Sequence, residues 1–68
     1  MLEYGKSYRI TEETSLLPKR TLVGEFIEYQ VVDNQPLARF KLSDDRMATL
    51  FIPDWDFEEL SELEALLW

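Results

Sequence analysis

The chain predicts a mainly β domain: a small antiparallel barrel or curled sheet of four to five strands, capped by one short C-terminal α-helix. Three observations carry this. Short runs rich in β-branched and aromatic residues alternate apolar and polar positions, which is the strand period of two. Clusters of turn residues separate those runs at spacings suited to local hairpins. The last sixteen residues, PDWDFEELSELEALLW, change to a helical spacing of apolar positions.

The first strand is expected over residues 6–11. Tyr8 and Ile10 share one parity with Leu2 and Tyr4, while Ser7 and Arg9 fall on the other. Gly5 suits a bend where that strand begins. TEETSLLP reads as a loop, with Leu16 and Leu17 tucked under the fold and Pro18 closing it. The second strand is expected over 20–32. Ile27, Tyr29 and Val31 share a face, but Leu22 belongs to the other, and Gly24 lies between the two phases. A bulge or sharp bend at Gly24 is the expectation, because a long strand bent at a glycine wraps a small sheet on itself.

DNQP places four turn residues in a row. The third strand is expected over 37–43, with Ala38, Phe40 and Leu42 inward and Arg39 and Lys41 outward. Asp44-Asp45 forms a tight turn. The fourth strand is expected over 46–52, with Ala48, Leu50 and Ile52 on one face and Met47 and Phe51 on the other, so that both faces are covered. Pro53 cannot donate to a ladder and ends it. A helix is then expected over 57–67. Asp56 as N-cap and Glu59 three residues on match a capping box, and Trp55 and Leu60 match a hydrophobic staple. Phe57, Leu60, Leu63 and Leu67 fall on one helical face. The expectation is that Leu60, Leu63 and Leu67 pack on Ile52, Phe51 or the Leu16-Leu17 loop, with the glutamates outside.

Sixty-eight residues are expected to form a single domain, 1–68, whose folding buries only ~60% of the surface the unfolded chain exposes. The charge is divided unevenly. Residues 1–46 hold eight acids and seven bases, a net of −1; residues 47–68 hold six acids and no base, a net of −6. A negative patch repels phosphate backbones and anionic lipid and favours basic partners. The N-terminus is too polar for a signal peptide, no apolar run approaches the ~18 residues of a membrane span, and there is no cysteine. A cytoplasmic protein without membrane association is the expectation.

The chemistry available is narrow. There is no His and no Cys, which removes Ser-His and Cys-His nucleophiles, imidazole bases and the usual zinc sites. Two glycines are too few for a phosphate loop or a dinucleotide fingerprint. Asp44-Asp45 and the pair Asp54 and Asp56 remain as possible acid–base groups, but a chain this short offers little room for a dry pocket. Asp54, Asp56 and Glu58 alternate as at the start of a calcium loop, yet Glu59 and Ala65 stand where that loop needs Gly and Glu. No catalytic residue, metal or other cofactor is therefore expected.

Four strands joined by local hairpins and followed by a helix indicate a small barrel of the SH3-like or Sm-like kind. LFIPDWDFEEL resembles the strand–Pro–short-helix ending of SH3 domains over about ten residues. The early aromatic-acidic motif and paired Trp of that family are absent, so the resemblance bears on the fold alone.

The function expected is a non-catalytic protein-interaction module (an adaptor, regulator or small subunit of a complex) that presents an acidic C-terminal helix to a basic partner. The candidate contact residues are Glu58, Glu59, Glu62, Glu64 and Trp68. Trp68 lies at the edge of the helical stripe, either packing on Leu2 or Tyr4 or standing as an exposed anchor. Two alternatives use other features. A nucleic-acid mimic would inhibit a DNA- or RNA-binding protein through spaced carboxylates. A nucleic-acid-binding barrel would use Arg9, Lys19, Arg20, Arg39, Lys41 and Arg46 with stacking by Tyr29 and Phe40, although the net charge has the wrong sign for nucleic acid.

Overall fold

The alternating segments pair into one five-stranded antiparallel sheet. The computed structural model describes residues 2–13 and 20–67; the Leu16-Leu17 loop, Pro18, Lys19 and Trp68 lie outside the described residues. The strands are β1 (Ser7–Glu12), β2 (Thr21–Val32), β3 (Gln35–Leu42), β4 (Met47–Phe51) and β5 (Trp55–Glu59), and a short helix, α1 (Glu62–Leu66), follows. The spatial order is β4-β3-β2-β1-β5, so the last strand lies beside the first. Four of the strands fall within two residues of the sequence expectation, the scatter that ends always carry.

The connections follow from local chemistry. Asp33 and Asn34 take positive φ values of 51° and 63° between the paired residues Val32 and Gln35. Two such residues in succession are the requirement of the type I′ hairpin, which Asn and Asp meet most readily after Gly. At the next turn Asp45 takes φ 69°, and the Asp44 carboxylate accepts the Arg46 N–H, replacing the glycine that the turn lacks. After β4, Ile52–Asp54 makes a single 3-10 turn with Pro53 at its start, and Pro53 ends the ladder as its missing N–H requires. Gly5, at φ 81°, turns the chain just before β1, and its N–H bonds the Phe26 carbonyl. That turn takes Tyr4 off the strand, and Tyr4 is exposed although it shares the parity of Tyr8 and Ile10.

The sheet curls but does not close. Phe40 on β3 and Phe57 on β5 stack with ring centroids 5.6 Å apart and planes 9° apart. Three inter-strand steps separate β3 from β5, which in a flat sheet amounts to roughly 14 Å. The inner faces of the two strands therefore meet across a folded-over sheet. Phe40 also meets Tyr8 and Phe26 edge-on, and with Ile10, Ala38 and Leu50 these residues form the buried core.

Two differences from the sequence expectation bear on the curl. The parity change in β2 is real, but its cause is an extra residue at Ile27. Phe26 pairs with Phe40 and Glu28 with Arg39, so two β2 positions oppose one step on β3. Leu22, Gly24 and Phe26 thus share a face with Tyr29 and Val31. Gly24 has no positive φ; it is needed for space. A Cβ there would lie 3.0 Å from the Lys41 carbonyl oxygen, 3.1 Å from a Leu42 methyl and 3.3 Å from the Phe40 Cβ. On β4, Phe51 is half-buried but Met47 is exposed, so that strand is covered mainly on its inner face.

The helix expected over 57–67 is the larger correction. Residues 55–59 are strand β5, paired with β1 through Ile10–Phe57 and Arg9–Glu58, and only 62–66 are helical. WDFEE fits both periods, and tertiary pairing decides. As a strand it places Phe57 on Phe40 and Glu58 on Arg9, whereas a three-turn helix standing alone is marginal in water. Asp56 and Glu59 therefore form no capping box, and Trp55 and Leu60 no staple.

Gly24→Ala is expected to lower unfolding stability by about 1–3 kcal/mol, the range for overpacking a tight site. Urea denaturation of the variant beside the parent chain checks it; an unchanged midpoint would mean that β3 yields around the added methyl without strain.

Candidate functional site

The C-terminal segment leaves β5 at Glu59 and is anchored by Leu60, which is 6% exposed and whose N–H bonds the Ser7 carbonyl. Ser61 then caps α1. Its hydroxyl accepts the Glu64 N–H at 3.2 Å, and its own N–H donates to the Glu64 carboxylate at 3.2 Å. This reciprocal pair is a capping box, five residues beyond the expected one. The signature S-x-x-E was present in SELE at 61–64; the stronger-looking run at Asp56 masked it.

The helix turns its apolar side outward. Glu64 and Ala65 are half-buried, while Leu63, Leu66 and Leu67 are 69%, 83% and 77% exposed. Of the three leucines expected to pack within the chain, only Leu60 does so. Leu63 and Leu67 stand in solvent and are joined there by Leu66, which the sequence reading did not single out. Exposure of three large aliphatic side chains within five residues makes a concentrated apolar surface on so small a domain.

The acidic candidates divide. Glu58 receives Arg9 at 2.7 Å, and Arg9 reaches Glu64 at 3.8 Å, so one guanidinium bridges β5 and α1. Glu59 and Glu3 both hold the Lys6 ammonium, at 3.2 and 3.3 Å. Glu62 makes no ion pair among the described residues, and Trp68 is outside them. Three of the four glutamates are thus matched by the chain's own cations. These contacts are exposed and individually contribute little, ~0–1 kcal/mol; their effect here is to neutralise the acidic surface locally while the net charge stays at −7. The Lys6 pKa is raised, first by its hydrogen bond to Glu59. The Glu64 pKa is lowered, first by the Ser61 backbone N–H and then by the Ser61 hydroxyl.

The bases proposed for nucleic acid are likewise engaged. Arg20 bonds Glu12 through two nitrogens, Arg39 bonds Glu28, Lys41 lies 3.6 Å from Asp45, and Arg46 bonds Asp44. No carboxylate cluster suited to a metal is found among the described residues, and no described helix is long and apolar enough to cross a membrane.

Two hollows flank the terminal segment. One, of about 440 Å³, runs between the Tyr4–Ser7 turn and Leu60, Ser61 and Ala65. The other, also about 440 Å³, is walled by Leu2, Tyr8, Tyr29, Ile52, Trp55 and Phe57, with Asp56 and Glu59 on its lining. Glu59 borders both. Fold and surface together define a small open-sheet β domain with an apolar, acid-flanked C-terminal helix. No protein-family model matches the chain, and neither does any curated protein or solved structure.

Leu60→Ala is expected to cost about 2–5 kcal/mol as a buried truncation, whereas Leu63→Ala changes stability by less than about 0.5 kcal/mol. Thermal or urea unfolding of the two variants checks the contrast. The capping box adds a pH signature. Because the folded-state Glu64 pKa lies below its ordinary value, its contribution is complete above the ordinary glutamate range and is lost as pH falls through the lowered value. NMR titration is expected to place the Glu64 midpoint low and to move it upward in Ser61→Ala, which loses about 1 kcal/mol of capping.

Proposed function

We propose that this chain is a non-catalytic protein-interaction module whose C-terminal helix docks, leucines first, in an apolar groove of a partner that is basic around the contact. The exposure of Leu63, Leu66 and Leu67 on a capped helix carries the reading. A domain this small needs its apolar groups in the core, and leaving three leucines in water suits a surface that is covered in a complex. Helix-in-groove docking uses such neighbouring anchors.

Charge supports a partner different from the chain itself. Residues 47–68 carry six acids and no base, and the whole chain carries −7. A second copy would bring the same sign to the contact, whereas a basic surface would be attracted. With Glu58, Glu59 and Glu64 held by Lys6 and Arg9, the electrostatic part falls on Glu62 and on the net field. In this reading the leucines, more than the glutamates, make the contact. The nucleic-acid mimic and the nucleic-acid binder draw less support, because the carboxylates and guanidiniums they need are largely paired with each other.

A tagged chain is expected to retain a specific basic protein from its native host, and the variant Leu63→Ser/Leu66→Ser/Leu67→Ser is expected to lose it while keeping its fold by circular dichroism. Glu62→Lys is expected to slow association with the retained protein. The parental association rate is expected to fall as salt rises, because exposed charges are screened beyond about 8 Å at physiological ionic strength. Undiminished capture by the triple-leucine variant would refute the helix as the contact.

A further inference from the structure

We propose that the cleft between β5, Tyr29 and the N-terminal segment takes an arginine side chain of a protein partner. This deepens the reading of the chain as a binder of basic proteins and rests on it for the source of the cation.

The cleft is built for one cationic, planar group. Four of its walls are aromatic: Tyr8, Tyr29, Trp55 and Phe57. Its volume of about 440 Å³ lies inside the ~300–1,000 Å³ range of clefts that hold small ligands. Both charged residues on its lining are acids, Asp56 and Glu59, and no base lines it among the described residues. Glu59 shares the face of β5 with Trp55 and Phe57 and holds Lys6 jointly with Glu3, whereas Asp56 alternates to the outer face opposite Thr11. Electron-rich ring faces beside the Glu59 carboxylate favour a cation over a neutral or anionic group. Arginine fits better than lysine, because its guanidinium is flat, weakly hydrated and stacks on aromatic faces.

The molecule already shows this chemistry on one of the same rings. The Arg20 guanidinium lies 5.5 Å from the Trp55 centroid. Arg20 does not line the cleft, and its charge is matched by Glu12 at 3.1 Å, so it adds little repulsion to an incoming cation. Two of the walls are held in place before any ligand arrives. The Tyr29 hydroxyl accepts the Leu2 N–H at 3.0 Å and the Tyr8 hydroxyl accepts the Glu3 N–H at 2.8 Å. Phe57 is fixed from behind by its stack on Phe40. Little ordering is left for binding to supply.

The test uses three short blocked peptides, acetyl-Gly-Arg-Gly-amide, its citrulline counterpart and its glutamate counterpart, titrated into the full chain and followed by NMR. The arginine peptide is expected to give saturable shifts at the Trp55 indole N–H and at Tyr29 and Phe57. Citrulline, which keeps the plane but lacks the charge, is expected to bind about tenfold more weakly, and glutamate not at all. Glu59→Gln should weaken the arginine peptide about three- to fivefold, the scale of one exposed charge pair; it alters no buried side chain and guards against a Trp55→Leu variant that fails to fold. Equal binding of citrulline, shifts confined to α1, or no saturable shift would each overturn the proposal. The triple-leucine variant separates this site from the helix: it should bind the peptide as the parent does. Peptide binding together with undiminished partner capture by that variant would leave the cleft standing and remove the helix reading. Lost capture without peptide binding would do the reverse.

Discussion

The stack of Phe57 on Phe40 is the contact on which the rest of the molecule depends. A single flat sheet of this length would leave its apolar face half in water, and no second layer is available to cover it. The sheet must cover itself, and it does so by bringing β5 over β3. Everything that lets the two strands approach follows from that demand. The extra residue at Ile27 sharpens the bend of β2 and returns Tyr29 to the inner face. Gly24 admits the Lys41 carbonyl and the Phe40 Cβ where a side chain would push β3 away. The 3-10 turn at Ile52–Asp54 carries the chain from β4 at one edge of the sheet to β5 beside β1 at the other. Phe57, one member of that stack, is also a wall of the aromatic cleft.

The same constraint reorganises the charge. Pairing β5 with β1 sets Glu58 opposite Arg9 and brings Glu59 within reach of Lys6. The acidic third of the sequence is therefore folded back on cations of the first third, and what seemed a free negative tail is partly neutralised. Arg9 also reaches Glu64 and so ties α1 to the sheet. The surplus negative charge that remains is spread over residues such as Glu25, Asp33, Asp56 and Glu62, which make no ion pair among the described residues. A field of this kind orients and accelerates an encounter with a basic surface more than it strengthens any one contact.

Most of the sheet was legible because strands obey a local rule. Tyr8 and Ile10, Ala38 and Phe40, and Leu50 were all placed inward by parity, and each is buried. The turn residues Asp33-Asn34 and the terminator Pro53 also acted locally. The failures lie where two local rules competed and a distant partner decided. WDFEE satisfied a helix N-terminus and a strand alike, and only Ile10 and Phe40, more than a dozen residues away, select the strand. The need for Gly24 was visible but its cause was not, since a close approach by β3 leaves no mark on the residues around the glycine. At the candidate site, Glu58, Glu59 and Glu62 are exposed and Glu64 is half-buried. Their partners Lys6 and Arg9 were hidden by some fifty residues of separation. The outward leucines were missed because the helical stripe was assigned eleven residues, and a stripe that long must be buried; a five-residue helix tethered by Leu60 is under no such demand.

Leu60 is the hinge of that last difference. It buries the one apolar side chain the segment can bring to the body of the domain, and Ser61 with Glu64 then satisfies the helix start without help from the core. With its beginning capped and its anchor placed upstream, α1 gains little from turning its leucines inward, and the sheet beneath it offers Ala65 and Glu64 a shallow seat rather than a deep one. Stability and surface are thereby separated along eight residues, 60–67. Leu60 belongs to folding, while Leu63, Leu66 and Leu67 are left to whatever covers them. The aromatic cleft lies on the other side of Glu59 from this helix, so a single basic partner could set an arginine in the cleft and an apolar groove over the leucines. Two modest contacts linked in this way on one rigid body act with a high effective concentration, and neither has to be strong alone.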